Sequence, residues 1–367
     1  MTRALDDAER RAWLRLARSQ NVGPVTFAHL IAHYPSAIDA LDALPRLARK
    51  GGGATPRIPS DADAKQELEQ LARLGGRLIA SCEPEYPQGL AALDAPPPVL
   101  SVLGHVNLLR RDMVAIVGAR NASALGRKLA NTLARDLVAA NLVVVSGLAR
   151  GIDTAAHEGA LSGGTVAVLA GGVDVIYPPE NDALYERIGK EGAIVSEMAV
   201  GQPPQARHFP RRNRVISGLA RGIVVVEAAE GSGSLITANY ALEQGREIFA
   251  VPGSPLDPRA KGTNRLLRDG ATLTESADDV LSGLRPILGH DFREPARDAP
   301  QPNAIAAEAE ADAVRNKVEE CLGPAPVEID EIVRQCKTSP GAVLTVLVEM
   351  QLAGRARWHP GNKVSWA

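Results

Sequence analysis

The sequence predicts an α/β protein built around a doubly wound, mostly parallel β-sheet, with a helical domain before the sheet and a winged-helix-like domain after it. Apolar residues recur at helical spacing in the first part of the chain, and short β-rich runs alternate with helical stretches in the middle. The last part shows three helical stretches followed by two short β-rich runs. A chain of 367 residues that is 45% hydrophobic can bury a large core and divide into two or three domains.

Residues 1–80 are predicted to form the N-terminal helical domain, because apolar residues such as Trp13, Leu16 and Leu30 recur at helical spacing. The run Val22–Pro24 predicts a tight turn between two helices, with the proline suited to the first turn of the second helix. This element is similar to the helix-hairpin-helix of SAM-like domains, whose turn amides often meet a phosphate. A packed corner of two helices stays open as the alternative, since no basic residue follows the turn.

Residues 81–290 are predicted to form the sheet domain, with its core at 113–271. The domain has six strand candidates that are apolar at nearly every position, as expected for strands covered on both faces. These candidates are Met113–Gly118, Leu142–Gly147, Thr165–Gly172, Gly192–Glu197, Gly222–Ala228 and Arg246–Gly253. The helical stretches between them predict right-handed crossovers and a parallel sheet, whose ligand site lies at the carboxyl ends of the strands.

A Pro/Ala/acid stretch at 291–312 is predicted to be a flexible linker, and residues 313–367 are predicted to form the winged-helix-like domain. The helices of this domain are expected around Ala313–Cys321, Ile329–Cys336 and Ser339–Gln351, followed by two strands joined at residues 359–362. The third helix carries Glu349 and no Lys or Arg, so it lacks the groups that neutralise DNA phosphates. We therefore expect this helix to contact protein or to pack within the fold rather than to read bases.

Charge and cysteine content exclude several classes of protein. The 41 Lys and Arg residues nearly balance the 43 Asp and Glu residues, so any site for a polyanion must be local. Cys82, Cys321 and Cys336 show no CxxC spacing, which predicts no structural metal and no disulfide framework and fits a reducing, cytoplasmic compartment. The charged N-terminus and the lack of a long apolar stretch predict neither secretion nor a membrane span.

The loops after the first two strand candidates are predicted to bind anions. The first loop offers Gly118, Arg120 and Ser123 at the start of a helix, and the second offers Ser146 and Gly147 at the corresponding place. A dinucleotide site would need a G-x-G-x-x-G series in the first loop and an acid at the end of the second strand, and the sequence has neither. No nicotinamide or other cofactor is therefore predicted.

Asp153 and His157 are spaced four residues apart on the helix that follows the second loop. Such a pair can serve as a general acid and base, or it can cap and orient the helix, which is the more common arrangement when no nucleophile is near. Both interpretations remain open from the sequence, and no catalytic residue is predicted.

A cluster of arginines distinguishes residues 205–216, which we name the arginine segment. It contains Arg207, Phe209, Arg211, Arg212, Asn213 and Arg214. Arginines that pair with phosphates, next to an aromatic ring on which a base can stack, are what single-stranded nucleic acid requires. In the alternative, some of these arginines pair with acids at strand ends, such as Glu197 and Glu227, and hold the fold together.

Two later loops add further cradles for anions. Gly233 and Ser234 open a helix after the fifth strand candidate, and Lys261 begins a similar turn one unit later. Together the loops predict a row of phosphate-sized pockets along one edge of the sheet. Such a row suits a polymer backbone better than a single nucleotide.

The heptapeptide SGLARGI occurs twice, at Ser146–Ile152 and at Ser217–Ile223. The first copy leaves a strand candidate and enters a helix, whereas the second leaves the arginine segment and enters a strand candidate. The flanking residues therefore predict that the same heptapeptide takes two different structures, and they exclude a duplicated module.

Seven ordered motifs between Met113 and Ala271 together resemble the DNA-processing protein A (DprA, also called Smf) family. The motifs are VAIVGARNAS, VVSGLARGIDTAAHEGAL, TVAVLAGGVDVIYPPEN, IVSEM, FPRRNRVISGLA, VVVEAAEGSGSLITANYALEQGREIFAVPG and GTNRLLRDGA. The resemblance implies an extended Rossmann-like domain that binds single-stranded DNA, forms a homodimer and loads the RecA recombinase onto DNA during natural transformation, without a catalytic step. The helical and winged-helix-like flanks fit the layout of the family.

The resemblance also implies which residues contact DNA. They are Arg120 in the first loop, Ser146 and Gly147 in the second, and the residues just ahead of RRNR, where Phe209 matches the aromatic residue of the family. Some relatives have a lysine three residues ahead of this aromatic. The sequence has Ala206 there, and we expect the neighbouring Arg207 to replace the lysine.

A related Rossmann-like group that hydrolyses the sugar bond of nucleoside monophosphates is the alternative from another functional class. Its motif PGGxGTxxE carries the catalytic glutamate. The nearest stretch here is EGSGSLITANYALE, in which no acid follows the threonine until Glu243. Because the carboxylate is missing at its expected place, we predict DNA binding and no enzymatic activity.

Overall fold

The computed structural model describes residues 3–290, 304–359 and 361–367. These residues form two compact units, of which the first contains residues 3–4, 67–93 and 99–290. The second unit contains residues 5–66 and 94–98 together with the described residues from 304 onward. Within the described ranges, no helix has both the length and the apolar character needed to cross a membrane.

Four helices open the chain. They are α1 (Asp7–Arg18), α2 (Pro24–His33), α3 (Ala37–Lys50) and α4 (Asp61–Arg73). Asp6 begins α1 with a capping box that it forms with Glu9. Gly23 precedes α2, and Pro24 takes the first helical position. An amide at this position has no partner within the helix, so the missing N–H of proline loses no hydrogen bond. The predicted turn between two helices is therefore present.

A nine-stranded sheet is the centre of the first unit. Its strands are β1 (Arg77–Ala80), β2 (Val99–Gly104), β3 (Met113–Val117), β4 (Val143–Ser146), β5 (Thr165–Val168), β6 (Ala193–Ser196), β7 (Gly222–Val225), β8 (Glu247–Ala250) and β9 (Thr272–Leu273). The order across the sheet is β1-β2-β6-β5-β4-β3-β7-β8-β9. The β1–β2 and β2–β6 pairs are antiparallel, and the other pairs are parallel. The predicted doubly wound, mostly parallel sheet is confirmed.

Helices connect these strands. They are α5 (Gln88–Ala91), α6 (Ala124–Ala139), α7 (Ile152–Ala160), α8 (Asp182–Glu191), α9 (His208–Leu219), α10 (Gly233–Glu243), α11 (Lys261–Arg268) and α12 (Ala277–Leu284). Successive strand residues point to opposite faces of the sheet, so Val143 and Val145 pack in one apolar core and Val144 packs in another. Both faces are therefore covered, which explains why the six predicted strands are apolar at nearly every position.

The C-terminal part of the second unit is a winged helix. Its elements are α13 (Ala304–Cys321), β10 (Val327–Glu328), α14 (Ile329–Cys336), α15 (Pro340–Leu352), β11 (Ala356–His359) and β12 (Lys363–Trp366). The strands pair in the order β10-β12-β11, and the antiparallel β11 and β12 form the predicted wing.

The prediction of a linker at 291–312 is wrong for its last part, because α13 already begins at Ala304. Residues 304–312 have the sequence AIAAEAEAD, and alanine and glutamate have high helix propensity where proline is absent. The rest of the predicted linker, 291–303, lies outside the described residues.

Helix α15, which holds the place of a recognition helix, is covered by the N-terminal helices of the same unit. The side chain of Asn21 donates to the carbonyl oxygen of Leu352 at 3.1 Å, and Thr26 is hydrogen-bonded to Gln351. Glu349 is buried and accepts a hydrogen bond from Arg315 Nη2 at 2.6 Å. The expectation that α15 packs within the protein is confirmed.

Gly51, just after α3, marks a close approach between the N-terminal helices and α15. A Cβ atom at Gly51 would lie 2.0 Å from the carbonyl oxygen of Glu349. Because backbone atoms yield less than the end of a flexible side chain, we expect Gly51→Ala to destabilise the second unit by about 1–3 kcal/mol. Urea unfolding followed by tryptophan fluorescence measures this change, since Trp13, Trp358 and Trp366 all lie in the second unit.

Gly323→Ala is the matched control for this prediction. A Cβ atom at Gly323, in the same unit, would meet no atom within 4 Å. We expect its free energy of unfolding to change by no more than about 0.5 kcal/mol. Equal stability of the two variants would contradict the close approach of α3 and α15.

Candidate nucleic-acid interface

The order of the strands reverses between β3 and β7, so the loops after these two strands border one crevice at the carboxyl edge of the sheet. Residues 118–121 directly follow β3, and residues 229–233 lie between β7 and the start of α10. These loops line an open cavity of about 830 Å³. The edge at which the sequence predicts a ligand site therefore holds a cavity.

Helix α9 supplies one wall of this cavity. Phe209, Arg212, Asn213 and Ile216 line it, and their spacing places them on one face of the helix. Neighbouring residues of a helix point in different directions, so the arginine segment cannot act as one surface. Of its four arginines, all of which the structure describes, Arg212 is the one that lines the cavity.

The other three arginines lie outside the lining of the cavity. Arg211 Nε is 3.4 Å from Glu197 Oε1, and the carboxylate is buried. Burial raises the pKa values of Tyr86 and Tyr240, and the nearby charge of Arg214 opposes both shifts. Arg207 is exposed at the N-terminus of α9. The alternative that some arginines pair with acids at strand ends is confirmed for Arg211.

An aromatic slot of about 340 Å³ adjoins the cavity. The rings of Tyr177 and Phe209 meet edge to face, with centroids 5.7 Å apart and an angle of 63° between the planes. The guanidinium carbon of Arg120 lies 5.4 Å from the centroid of Phe209, and that of Arg212 lies 6.0 Å away. Two rings and two cations thus border one slot, where a flat base can stack and a phosphate can pair.

Arg212 is buried and held by the second predicted anion loop. Its Nη1 lies 3.8 Å from Asp153 Oδ2, and each side chain is 7% exposed. Burial raises the pKa of Asp153 and lowers that of Arg212, while the attraction between the two opposes both shifts. The Nε of Arg212 is buried without a hydrogen-bond partner among the described residues. A largely buried cation that lines a cavity is suited to an anionic ligand, which would meet the edge of Arg212 that borders the cavity.

Gly147 makes room for this arginine. A Cβ atom at position 147 would lie 1.2 Å from Arg212 Nη1. The amides of Gly147 and Ala149 donate to Asp153 Oδ2 at 3.1 and 3.4 Å. The amides of this loop are thus directed to an internal carboxylate, which in turn positions Arg212.

His157 holds the loop between β4 and α7 in place through two hydrogen bonds. Its Nε2 accepts from the amide of Leu148 at 3.2 Å, and its Nδ1 is 2.7 Å from Thr165 Oγ1, whose hydroxyl donates to Val144 O. Leu148 has a φ of +53°, a strained value for a branched residue. Burial, assisted by the charge of Arg212, lowers the pKa of His157 to about 3, so the ring is neutral. Asp153 and His157 therefore anchor the loop, which favours the structural interpretation of the pair.

Two predicted phosphate contacts require correction. Ser146 is fully buried and its hydroxyl donates to Ile116 O at 2.6 Å. The hydroxyl and amide of Ser123 donate to the carboxylate of Glu227, at 2.6 and 2.9 Å. An internal carboxylate thus occupies the N-terminus of α6, where a dinucleotide would place its pyrophosphate. Neither serine is available to a ligand in this structure.

The predicted glycine and lysine contacts separate into two groups. Gly118, Gly233 and Ser234 line the cavity, and Asn213 Nδ2 donates to Gly233 O at 3.2 Å. Lys261 is exposed at the start of α11, outside the lining. The amide of the following residue donates to Ala228 O at 2.8 Å, so this turn is closed within the protein.

Several lining residues were missed from the sequence. Asn121, Tyr177, Glu230 and Arg259 all border the cavity. Tyr177 lies beyond the carboxyl end of β5, in the motif TVAVLAGGVDVIYPPEN, which was used above only for the family resemblance. An aromatic residue after a strand candidate was the signal that could have placed Tyr177 in the site. Arg259 Nε is 3.0 Å from Asp257 Oδ1, an ion pair that no local pattern indicates.

Ala206 also lines the cavity, whereas the exposed Arg207 does not. At the position where the resemblance implies a lysine in some relatives, the cavity is thus lined by the methyl group of alanine. The structure gives no support to the expectation that Arg207 replaces that lysine. Elsewhere, no group of three or more His, Cys, Asp or Glu residues in the described ranges is arranged to hold a metal ion.

Three family models match the chain. The model described as DNA recombination-mediator protein A matches residues 77–285, the DprA-like N-terminal HHH domain matches residues 7–70, and the DprA winged helix domain matches residues 299–362. The putative DNA processing protein DprA of Mycobacterium tuberculosis is 36% identical over 379 residues, which cover 97% of this chain and 94% of the relative. DNA processing protein DprA of Bacillus subtilis is 44% identical over 248 residues, which cover 64% of this chain and 83% of the relative.

Two solved structures are similar to this chain. The X-ray structure of DNA processing protein A from Streptococcus pneumoniae has a TM-score of 0.62 and 32% identity, and the match covers 80% of this chain and 100% of that one. A structure that concerns the single-stranded DNA binding mode of DNA processing protein A from Helicobacter pylori has a TM-score of 0.54 and 29% identity, and the match covers 58% of this chain and 97% of that one.

Proposed function

Because this chain belongs to the DNA-processing protein A family, we propose that it binds single-stranded DNA along the carboxyl edge of the sheet. The aromatic slot carries the proposal. Arg120 and Arg212 border the ring of Phe209, and the ring of Tyr177 meets it edge to face. A base stacks in the slot, and the two guanidinium groups neutralise the adjoining phosphates. The relative from Helicobacter pylori, described for its binding of single-stranded DNA, supports the same ligand.

We assign the DNA contacts to the residues that line the cavity and the slot. From the predicted set these are Gly118, Arg120, Gly147, Phe209, Arg212, Asn213, Gly233 and Ser234, and the structure adds Asn121, Tyr177 and Arg259. Ser123 and Ser146 leave the set because their hydroxyls are bonded within the protein. Contacts by Arg207, Arg211, Arg214 and Lys261 remain predictions for nucleotides outside the slot.

The physiological part of the proposal goes further. We infer that the protein acts in the cytoplasm as a homodimer that loads the RecA recombinase onto DNA taken up by the cell. The description of the matched family model as a recombination-mediator protein supports this role. Co-sedimentation of the purified chain with RecA on single-stranded DNA coated by a single-strand-binding protein tests it. If equal amounts of RecA sediment with the coated DNA without the chain, the loading step is refuted.

The alternative of a nucleoside-monophosphate hydrolase finds less support in the geometry. Its catalytic carboxylate would have to be Glu243, which is the last residue of α10. The first residues of that helix, Gly233 and Ser234, are the ones that line the cavity. Release of free base from a nucleoside monophosphate, abolished by Glu243→Ala, would restore this alternative.

Affinity for single and double strands tests the proposed function. We expect fluorescence anisotropy to show tighter binding of a labelled dT oligonucleotide than of a duplex of the same length. The logarithm of the affinity should fall linearly with the logarithm of salt concentration, by about 0.7 per phosphate contacted. Preference for the duplex, or an affinity that does not respond to salt, would overturn the proposal.

A further inference from the structure

A second open groove, of about 640 Å³, lies between α6 and α7 and is absent from the predicted site. Four cations line it: Arg127, Lys128 and Arg135 of α6, and Arg150 of the loop before α7. Among its lining residues, all of them described, Glu158 is the one acid. The protein as a whole has a net charge of −2, so this groove is a local concentration of positive charge.

The helical period explains why these cations meet. Arg127, Asn131 and Arg135 are spaced four residues apart, so they follow one face of α6, and Lys128 lies beside them. Arg127, Lys128 and Arg135 are all exposed. Arg127 Nη1 donates to Ala122 O at 3.0 Å, and Arg135 Nε lies 3.2 Å from the exposed Asp136. The exposed pair of Arg135 and Asp136 is worth little, so Arg135 can turn to a stronger anion at small cost.

Arg150 connects the groove with the aromatic slot, because it lines both. Its guanidinium group forms an exposed ion pair with Glu180 on the 3₁₀ turn before α8. A chain of phosphates that leaves the slot at Arg150 would therefore meet the cations of α6 next. Two separate cavities that share a cation are the arrangement expected for a continuous path.

The lining of the groove also limits what it can recognise. Beyond the four cations and Glu158, it consists of Asn, Thr, Gly and Ala residues and has no aromatic side chain. Without a ring on which a base can stack, the groove can contact phosphates and sugars but cannot hold a base as the slot does. Contacts to the backbone position a strand without selecting its sequence.

We propose that the groove between α6 and α7 binds the sugar-phosphate backbone of the nucleotides that flank the base held in the slot. This proposal rests on the proposed function, because the same strand must first occupy the slot. It makes the binding site longer than the slot and the cavity beside it. The added affinity depends on strand length and on salt, and it does not depend on base sequence.

The test compares two double variants on two lengths of DNA. Lys128→Ala with Arg135→Ala removes two cations of the groove, whereas Arg187→Ala with Lys190→Ala removes two exposed cations of α8 that do not line it. The control matches the loss of charge, and Arg187 pairs with Glu191 much as Arg135 pairs with Asp136. Affinities are measured for dT oligonucleotides of about 6 and about 20 nucleotides, which lie near the lower end of common single-strand site sizes and above their upper end.

We expect the groove variant to bind the longer strand about tenfold more weakly than the unaltered chain, with a salt slope smaller by about 1.4. Its affinity for the short strand should stay within about twofold, as should both affinities of the α8 variant. Unchanged binding of the long strand would overturn the proposal and leave the slot intact. An equal loss on both lengths would show that the groove is no separate subsite. If the unaltered chain binds neither strand, the proposed function itself fails.

Discussion

Arg120→Ala is expected to weaken binding of a short dT oligonucleotide by about 10- to 100-fold, the effect of losing one charge-assisted contact of about 1.5–3 kcal/mol. Arg120 is exposed at the mouth of the slot, and its guanidinium carbon lies 5.4 Å from the ring of Phe209. Removing one phosphate contact should also reduce the salt slope by about 0.7. Fluorescence anisotropy at several salt concentrations measures both quantities.

Phe209→Ala separates stacking from charge at the same slot. Loss of stacking on one base costs about 1–3 kcal/mol, so affinity should fall to a similar extent as with Arg120→Ala. The salt slope should stay unchanged, because no cation is removed. Different slopes with similar affinities would identify the two side chains as phosphate and base contacts, respectively.

Lys261→Ala is the control for Arg120→Ala. It removes an exposed cation that follows the same edge of the sheet but lies outside the lining of the cavity. We expect its affinity for the short oligonucleotide to change by less than about threefold, as for a distant surface charge. Equal losses for the two variants would mean that the protein attracts DNA by its general field and not through the slot.

A loss of stability in acid is the second large effect, and it arises at His157. The folded pKa of this residue is about 3, whereas its ordinary value is 6.5. Between these values the unfolded chain binds the proton and the folded chain does not, so stability falls as pH falls. The stability is complete above pH 6.5, and its loss is about 1.4 kcal/mol for each pH unit below it, or about 2 kcal/mol at pH 5.

His157→Gln removes this titration while it keeps an amide that can bond Leu148 and Thr165. Hydrogen exchange of peptides that cover β4 and β5, corrected for the intrinsic effect of pH, measures the stability of the first unit. We expect protection to fall more between pH 7 and pH 5 in the unaltered chain than in the variant. Asp153, whose pKa burial raises, is present in both proteins, so the difference reports on position 157. An identical response to pH in both proteins would refute the assignment.

The central fold was predictable because its information is local. Each of the six predicted strands forms, and the reversal of strand order produces the crevice that doubly wound sheets share. Strands covered on both faces need apolar residues at successive positions, a pattern that is visible without a structure. The antiparallel β1 and β2 and the short β9 were missed. β1 and β9 are short strands at the two edges of the sheet, and β2 directly follows three consecutive prolines, which obscure its pattern.

The candidate site was predictable by region but not by residue. Burial and direction of a side chain depend on elements distant in sequence, as when Glu227 occupies the amide and hydroxyl of Ser123. The same holds for the arginine segment, which α9 divides between the cavity and the outer surface. Tyr177 reaches the slot only because the loop after β5 crosses toward α9.

The two copies of SGLARGI separate what the sequence determines from what only the tertiary structure decides. Ser146–Ile152 ends β4 and enters α7, whereas Ser217–Ile223 ends α9 and enters β7. The sequence alone determined that the two copies take different structures, because their flanking residues differ. It also determined the parallel sheet and the family resemblance. Only the tertiary structure decided that Ser146 is buried and that Gly147 admits the guanidinium group of Arg212. The physical reason is that hydrophobic periodicity is a property of neighbouring residues in the chain, whereas the hydrogen-bond partner of a buried polar group is often distant in sequence.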